Sequence, residues 1–259
     1  MTEKRRVLDE PMFLLRQRPY SETSLLIDGI SRNYGRLVLI AKGVKKKNIR
    51  LLHNKPLIQY TIDETLKSEY IDRYIVSTDD NQIAEVSKEL GAEVPFLRPK
   101  KYASDSASSV SALQHAVRFI EERDDIFFEI IVETMCTNPL KLCCDIDAVI
   151  KKLLETNADS VIAVHELEDH HPARIKKIVN DKITDFAVKE PNEARRQDLK
   201  PKAYVRSGSI YCMKRDYLMK DGKRYGGTNS RPYILPSDRA INVDTETDFL
   251  VAEIMMSKQ

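Results

Sequence analysis

Residues 127–164 read FFEIIVETMCTNPLKLCCDIDAVIKKLLETNADSVIAV. Residues 127–133 and 160–164 are short runs rich in Phe, Ile and Val, the composition of buried strands. Between them Ile146, Val149, Ile150 and Leu153 recur at helical spacing and draw one apolar stripe along a helix. Strand, helix and strand in that order predict a βαβ unit, hence α/β architecture with a mainly parallel sheet under covering helices.

The same alternation extends outward. Residues 37–41, 73–77 and 93–97 are further candidate strands, and Ile83, Val86 and Leu90, then Val110, Leu113, Val117 and Ile120, mark two further helices. After Val164 the pattern loosens, with Pro172, Pro191 and Pro201 set among charged residues, so residues 165–200 are read as a lid or dimerisation arm rather than a structureless loop. Alternation resumes at 209–213, and a last helix is predicted over 247–256. Up to Arg36 the character differs: residues 12–15 and 24–30 read as strands of a β-meander. The expected organisation is an appendage over 1–36 and one large domain over 37–259.

The chain has 259 residues, and its 42 Lys and Arg nearly balance 40 Asp and Glu. A net charge of +2 exerts no global pull toward nucleic acid or membrane, so anion binding has to be local. No apolar run reaches the roughly 20 residues of a membrane-spanning helix, and a cytoplasmic protein is expected. The four cysteines, Cys136, Cys143, Cys144 and Cys212, lack paired Cys-x-x-Cys spacing and are read as reduced, structural thiols.

Five stretches carry residues suited to chemistry. The strand 37–41 empties into a basic loop in which Lys42, Gly43, Lys45, Lys46 and Lys47 suit a polyphosphate, or form a solvated turn. Ser77-Thr78-Asp79-Asp80 ends a strand, where open α/β sheets bind ligands, and equally offers a helix N-cap. Arg98 also lies at a strand end, ahead of a Ser-rich helix start at 104–109. In Asn242-Val243-Asp244, period-two alternation aims Asn242 and Asp244 to one side, where their oxygens suit one hard cation; the alternative is that Asp244 or Glu246 caps the last helix. His165, His170 and His171 fit no standard zinc spacing.

In order along the chain, Lys47-Asn48-Ile49, Asn54-Lys55-Pro56-Leu57-Ile58, Val76-Ser77-Thr78-Asp79-Asp80, Phe96-Leu97-Arg98-Pro99, Thr137-Asn138-Pro139-Leu140, Arg195-Arg196-Gln197-Asp198-Leu199, Gly208-Ser209-Ile210-Tyr211 and Asp244-Thr245-Glu246 resemble the acylneuraminate cytidylyltransferase family. These are the CMP-sialic acid synthetases and their relatives acting on bacterial nonulosonates. The resemblance implies a Rossmann-like, three-layer nucleotidyltransferase fold and a homodimer. It also implies a divalent metal, Mg²⁺ or Mn²⁺, and attack by an acidic sugar's anomeric hydroxyl on the α-phosphate of CTP. On that resemblance Ala41, Lys42, Gly43, Lys47 and Asn48 hold the nucleotide, with Lys47 and Asp244 catalytic. Arg98 and Ser109 hold the cytidine, and Asp244 with Asn242 holds the metal. The acid sugar lies near Arg196, Gln197 and Tyr211, and Lys176 or Lys177 reaches a neighbouring subunit's site.

Three departures accompany it. The family's first loop reads approximately Pro-Ala-Arg-Gly-Gly-Ser-Lys-Gly, whereas Ala41-Lys42-Gly43-Val44-Lys45-Lys46 stands here without the glycine pair or the arginine. Fewer free NH groups then surround the triphosphate, so CTP affinity or turnover is the property most affected. Met135 replaces a glutamine common in relatives, and Asn242 a second aspartate. The opening segment, Phe13-Leu14-Leu15-Arg16-Gln17-Arg18-Pro19-Tyr20 through Tyr34-Gly35-Arg36-Leu37-Val38, resembles instead the start of a RecO-type recombination mediator, whose meander opens an OB barrel. Either resemblance claims residues 37–41, and the near-neutral charge disfavours a DNA-binding role for the chain.

Overall fold

Alternating runs of apolar residues pair into strands wherever both of their faces can be covered, and the computed structural model follows this rule. It describes residues 12–21, 24–31, 35–42, 47–104, 107–167, 169–191 and 195–257, and of those up to Lys47 the backbone. The chain divides into two units, Met1–Arg50 and Leu51–Gln259.

In the first unit β1 (Met12–Ser21), β2 (Ser24–Ser31) and β3 (Gly35–Lys42) form an antiparallel meander in the order β1-β2-β3. Residues 37–41, claimed by two resemblances, are its third strand, with Leu25 opposite Ala41. Pro19 lacks an N–H to donate and sits on an outer strand beside a register shift, where a sheet tolerates proline. A short 3-10 turn, Lys47–Ile49, ends this unit.

The second unit begins with the short pair β4 (Leu51–Leu52) and β5 (Lys55–Pro56), then α1 (Leu57–Thr65), α2 (Asn81–Glu89) and α3 (Ser109–Asp124). β6 (Ile130–Thr134), α4 (Cys143–Thr156) and β7 (Ser160–Glu166) are the βαβ unit read from the sequence. A hairpin of β8 (Lys176–Val179) and β9 (Lys182–Asp185) follows, then β10 (Tyr204–Lys214), α5 (Arg215–Met219), β11 (Ser230–Ile234) and α6 (Glu246–Met256).

The main sheet has the order β11-β7-β10-β6. β11 runs parallel to β7, and β10 runs antiparallel to both β7 and β6, so three strands share one direction and β10 opposes them. Period-two alternation sorts the sheet's two faces. Val161, Ala163, Ile210 and Cys212 pack with the α4 stripe of Ile146, Val149, Ile150 and Leu153, while Tyr211 and Met213 pack on the other face with Val117 of α3 and Leu218 of α5. Helices on both faces make three layers. Residues 73–77 and 93–97, expected as strands, run side by side in parallel but pair only through bridges at Ile75–Glu93 and Thr78–Leu97. Pro95 removes a donor from the second of these segments, which works against a full ladder. Among the described residues no helix is long and apolar enough to cross a membrane.

Candidate active site

Thr137 and Asn138, just past the carboxyl end of β6, hydrogen-bond to residues 239–243. Residues 241–244 form no ladder strand, yet their alternation holds. Val243 is buried against Leu52, Leu57, Phe249 and Ala252, and its N–H donates to Thr137 O at 2.7 Å. Asn242 and Asp244 consequently turn away from that core. The Asn242 amide Nδ2 donates to Asp244 Oδ2 at 2.6 Å, while Asn242 Oδ1 is buried with no hydrogen-bond partner. Gly208 lies directly behind, at φ +64°, and a Cβ there would come within 3.3 Å of the Asn242 Cγ. The glycine thus serves both the left-handed backbone and the close approach.

Neither acidic residue expected to cap the last helix does so. Thr245 caps α6, accepting from Asp248 N at 3.2 Å, and Asp248 closes the capping box on Thr245 N at 2.7 Å. An orphaned buried amide oxygen beside a carboxylate is a donor set that fits a hard divalent cation. Such an ion would supply positive charge against the oxygens of a polyphosphate.

The backbone that presents this pair is pinned from the β6–α4 turn. Asn138 Nδ2 donates to Arg239 O and Ile241 O at 3.2 and 2.7 Å. Lys141, wholly buried, donates from Nζ to Thr61 Oγ1, Met135 O and Asn138 O at 2.6 to 2.7 Å. Burial pushes its ammonium down to about 7, against the pull of Cys136, Glu64 and Asp145. One turn away the buried Asp145 accepts from Tyr233 Oη at 2.8 Å and from Arg239 Nη2 at 2.6 Å. Lys141, Tyr233 and Arg239 escaped the sequence reading. The available signal was a lysine enclosed by Leu140 and Leu142 just ahead of a helix.

Arg98 follows the bridge at Leu97, with its backbone N–H on Thr78 O at 2.8 Å and its guanidinium 3.8 Å from Asp79. Its Nε, like Ser77 Oγ, is buried without a hydrogen-bond partner. Asp80 caps α2 by accepting from Gln82 N and Ile83 N, and Ser108 caps α3 by accepting from Ser111 N. Ser109, next to that cap, is exposed as the first residue of α3. His115 of the same helix stacks edge-on against Phe96 at 4.8 Å, and burial, aided by Lys101 and Arg98, pushes its imidazole down.

The remaining predicted residues are spread more widely. Ala41 and Lys42 end β3, and Lys47 and Asn48 form the 3-10 turn of the first unit, while Gly43 lies outside the described residues. Arg196 and Gln197 are exposed in a 3-10 turn, and Tyr211 is buried in β10. Lys176 is held within the arm by Asp185 at 2.6 Å and Glu190 at 2.7 Å.

A cytidylyltransferase family model matches residues 40–221, and a model of the N-terminal part of recombination protein O matches residues 8–62, so the two overlap where the units meet in sequence. Post-translational flagellin modification protein B of Campylobacter coli is 28% identical over 85% of this chain and 92% of its own. CMP-N,N'-diacetyllegionaminic acid synthase of Campylobacter jejuni is 30% identical over 84% of this chain and 91% of its own. A solved CMP-2-keto-3-deoxy-manno-octonic acid synthetase complexed with CTP superposes with a TM-score of 0.60 at 15% identity, covering 83% of this chain and 93% of that one, and shows that the fold is that of a nucleotidyltransferase. By the family model that spans most of its length, and by a relative 30% identical over 84% of it, this chain belongs to the cytidylyltransferase family.

Proposed function

We propose that this protein joins CTP to an acidic nonulosonate sugar, releasing pyrophosphate and a CMP-sugar. The observation that carries the reading is the Asn242–Asp244 pair. It combines a buried amide oxygen lacking a hydrogen-bond partner with a carboxylate on backbone fixed by Asn138, beside a strand whose glycine makes room for it. Transfer of a nucleotidyl group needs positioning and charge neutralisation more than a covalent intermediate; this pair would position a divalent cation, and the cation would supply the neutralising charge. Mg²⁺ or Mn²⁺ suits two oxygen donors of this hardness, and cytidylyltransferases of this kind use a divalent metal. Arg98 and Ser109 are assigned to the cytidine, Lys47 and Asn48 to the phosphates, and Arg196, Gln197 and Tyr211 to the sugar. The relative from Campylobacter jejuni, named for a legionaminic acid product, supports a sugar of that class.

Two further assignments go with this reading. Ile178, Ile183 and Phe186 are 76, 73 and 61% exposed around the β8–β9 hairpin, an apolar surface that suits a homodimer contact. Free thiols at Cys136, Cys143, Cys144 and Cys212 agree with a reducing cytoplasm. The test is titration calorimetry with CTP and Mg²⁺ on the parent and on Asp244→Ala, alongside pyrophosphate release. Metal-dependent CTP binding in the parent and its loss in the variant are expected. Unchanged binding in the variant removes Asp244 from the site, and CTP binding without pyrophosphate release in the presence of any nonulosonate reduces the protein to a nucleotide-binding relative.

A further inference from the structure

The face of the main sheet that carries Tyr211 also holds Arg206, Arg224, Tyr225 and Glu133, used by none of the assignments above. In β10, Arg206 lies opposite Val164 and Tyr211 opposite Ile162, and those two β7 residues alternate onto one face, so Arg206 and Tyr211 share it. The ring of Tyr225 lies 5.9 Å from that of Tyr211. Arg224 lies 4.5 Å over the Tyr211 ring and donates to Glu133. Arg206 lies 4.6 Å over the Tyr225 ring and donates from Nη1 to the Tyr225 hydroxyl.

The two arginines differ in their counter-charge. Arg224 and Glu133 are each 15% exposed and neutralise one another; burial pushes the Glu133 carboxyl up and Arg224 draws it back. Arg206 is exposed, and its hydrogen-bond partner among the described residues is a neutral phenol. The group therefore keeps one uncompensated positive charge, held over an aromatic ring with its Nη2 and Nε edge still available. A guanidinium held this way has little rotamer freedom left to lose and presents a fork that matches a carboxylate. Its place is also suitable. Gly208, which backs onto Asn242, is two residues further along the same strand, about 7 Å away at roughly 3.3 Å per residue.

We propose that Arg206, oriented by Tyr225, binds the carboxylate of the acid sugar, and that Tyr211 and the Arg224–Glu133 pair form the wall against which the sugar lies. This rests on the transferase reading and adds to it the residue that selects acidic sugars over neutral ones.

The experiment uses the full chain and two variants, Arg206→Met, which keeps a stem over Tyr225 without the charge, and Arg206→Lys, which keeps the charge without the fork. Pyrophosphate release is measured at saturating CTP with N-acetylneuraminic, legionaminic and pseudaminic acids, and binding of the best of them and of its methyl ester is measured by calorimetry. The sugar KM is expected to rise about 100-fold in Arg206→Met and less in Arg206→Lys, with the CTP KM within about twofold of the parent. The parent is expected to bind the free acid at least about tenfold tighter than the ester, and Arg206→Met to bind the two alike. An unchanged sugar KM, or an acid preference that survives in Arg206→Met, overturns the assignment. If the parent releases no pyrophosphate the transferase reading fails, and the acid-versus-ester comparison still decides Arg206; a parent that binds neither form overturns both.

Discussion

Replacing Asn242 by aspartate puts a second carboxylate where the resembled family commonly has one, and its consequences follow from a single distance. The Asn242 Nδ2 to Asp244 Oδ2 separation is 2.6 Å, a charge-assisted hydrogen bond in the parent. In Asn242→Asp that donor becomes an anionic oxygen. Two unit charges about 4 Å apart repel by about 1 kcal/mol in water and about 4 kcal/mol at an effective dielectric of 20. Asp244 is exposed while Asn242 is half-buried, so solvent screening places the repulsion toward the lower figure. With the lost hydrogen bond, a total cost of about 2 to 3 kcal/mol is expected for the metal-free protein, a fall in Tm of roughly 5–10 °C for a unit of this size. A divalent cation reverses the sign, because it sits between two carboxylates instead of a carboxylate and an amide. If Mg²⁺ affinity improves about tenfold, the stabilisation by excess Mg²⁺ grows by about 1.4 kcal/mol over that of the parent. Thermal unfolding monitored with EDTA and with a Mg²⁺ series reads both effects. A variant as stable as the parent in EDTA, or one whose Mg²⁺-induced shift is no larger than the parent's, would refute the placement of a cation between these residues.

Two further outcomes test the support behind that pair. Gly208→Ala imposes a side chain on a φ of +64° and brings its Cβ to 3.3 Å from Asn242 Cγ, so a loss of about 1 to 2 kcal/mol in urea unfolding is expected, together with weaker Mg²⁺-dependent CTP binding; a neutral effect on both shows that the contact does not position Asn242. Lys141 has a folded-state value near 7 against 10.5 in the unfolded chain, so between those limits the unfolded state binds the extra proton and stability rises with pH. Relative to Lys141→Met, which lacks this linkage, the parent is expected to gain up to about 2.7 kcal/mol in urea unfolding between pH 7 and 9, and equal slopes for the two proteins would refute the buried-ammonium account.

What the sequence made legible was whatever depends on periodicity within one segment. The stripe Ile146, Val149, Ile150 and Leu153 reads as a helix because it packs on a single sheet face, and the βαβ unit around it forms as expected. Elements whose periodicity is masked were missed. In α1 the buried positions include Thr61 and Thr65, which count as polar in a hydrophobic pattern, and β11 carries Arg231 and Pro232 on an outer strand that needs fewer donors and less apolar surface. The site divides along the same line. Asn242 and Asp244 were legible as a pair because two residues of extended chain fix their common direction, whatever surrounds them. The choice between cation site and helix cap was not legible, since it turns on Asp248 reaching back to Thr245 and so releasing Asp244 from capping. Lys141 and Arg206 were hidden for a stronger reason. A lysine is taken for surface until its three acceptors arrive from α1 and the β6–α4 turn, and an arginine becomes a candidate carboxylate receptor only when a tyrosine 19 residues away lies beneath it and leaves its charge unanswered. Functional charge of this kind is defined by what it lacks locally, which is a property of the assembled fold and of no segment within it.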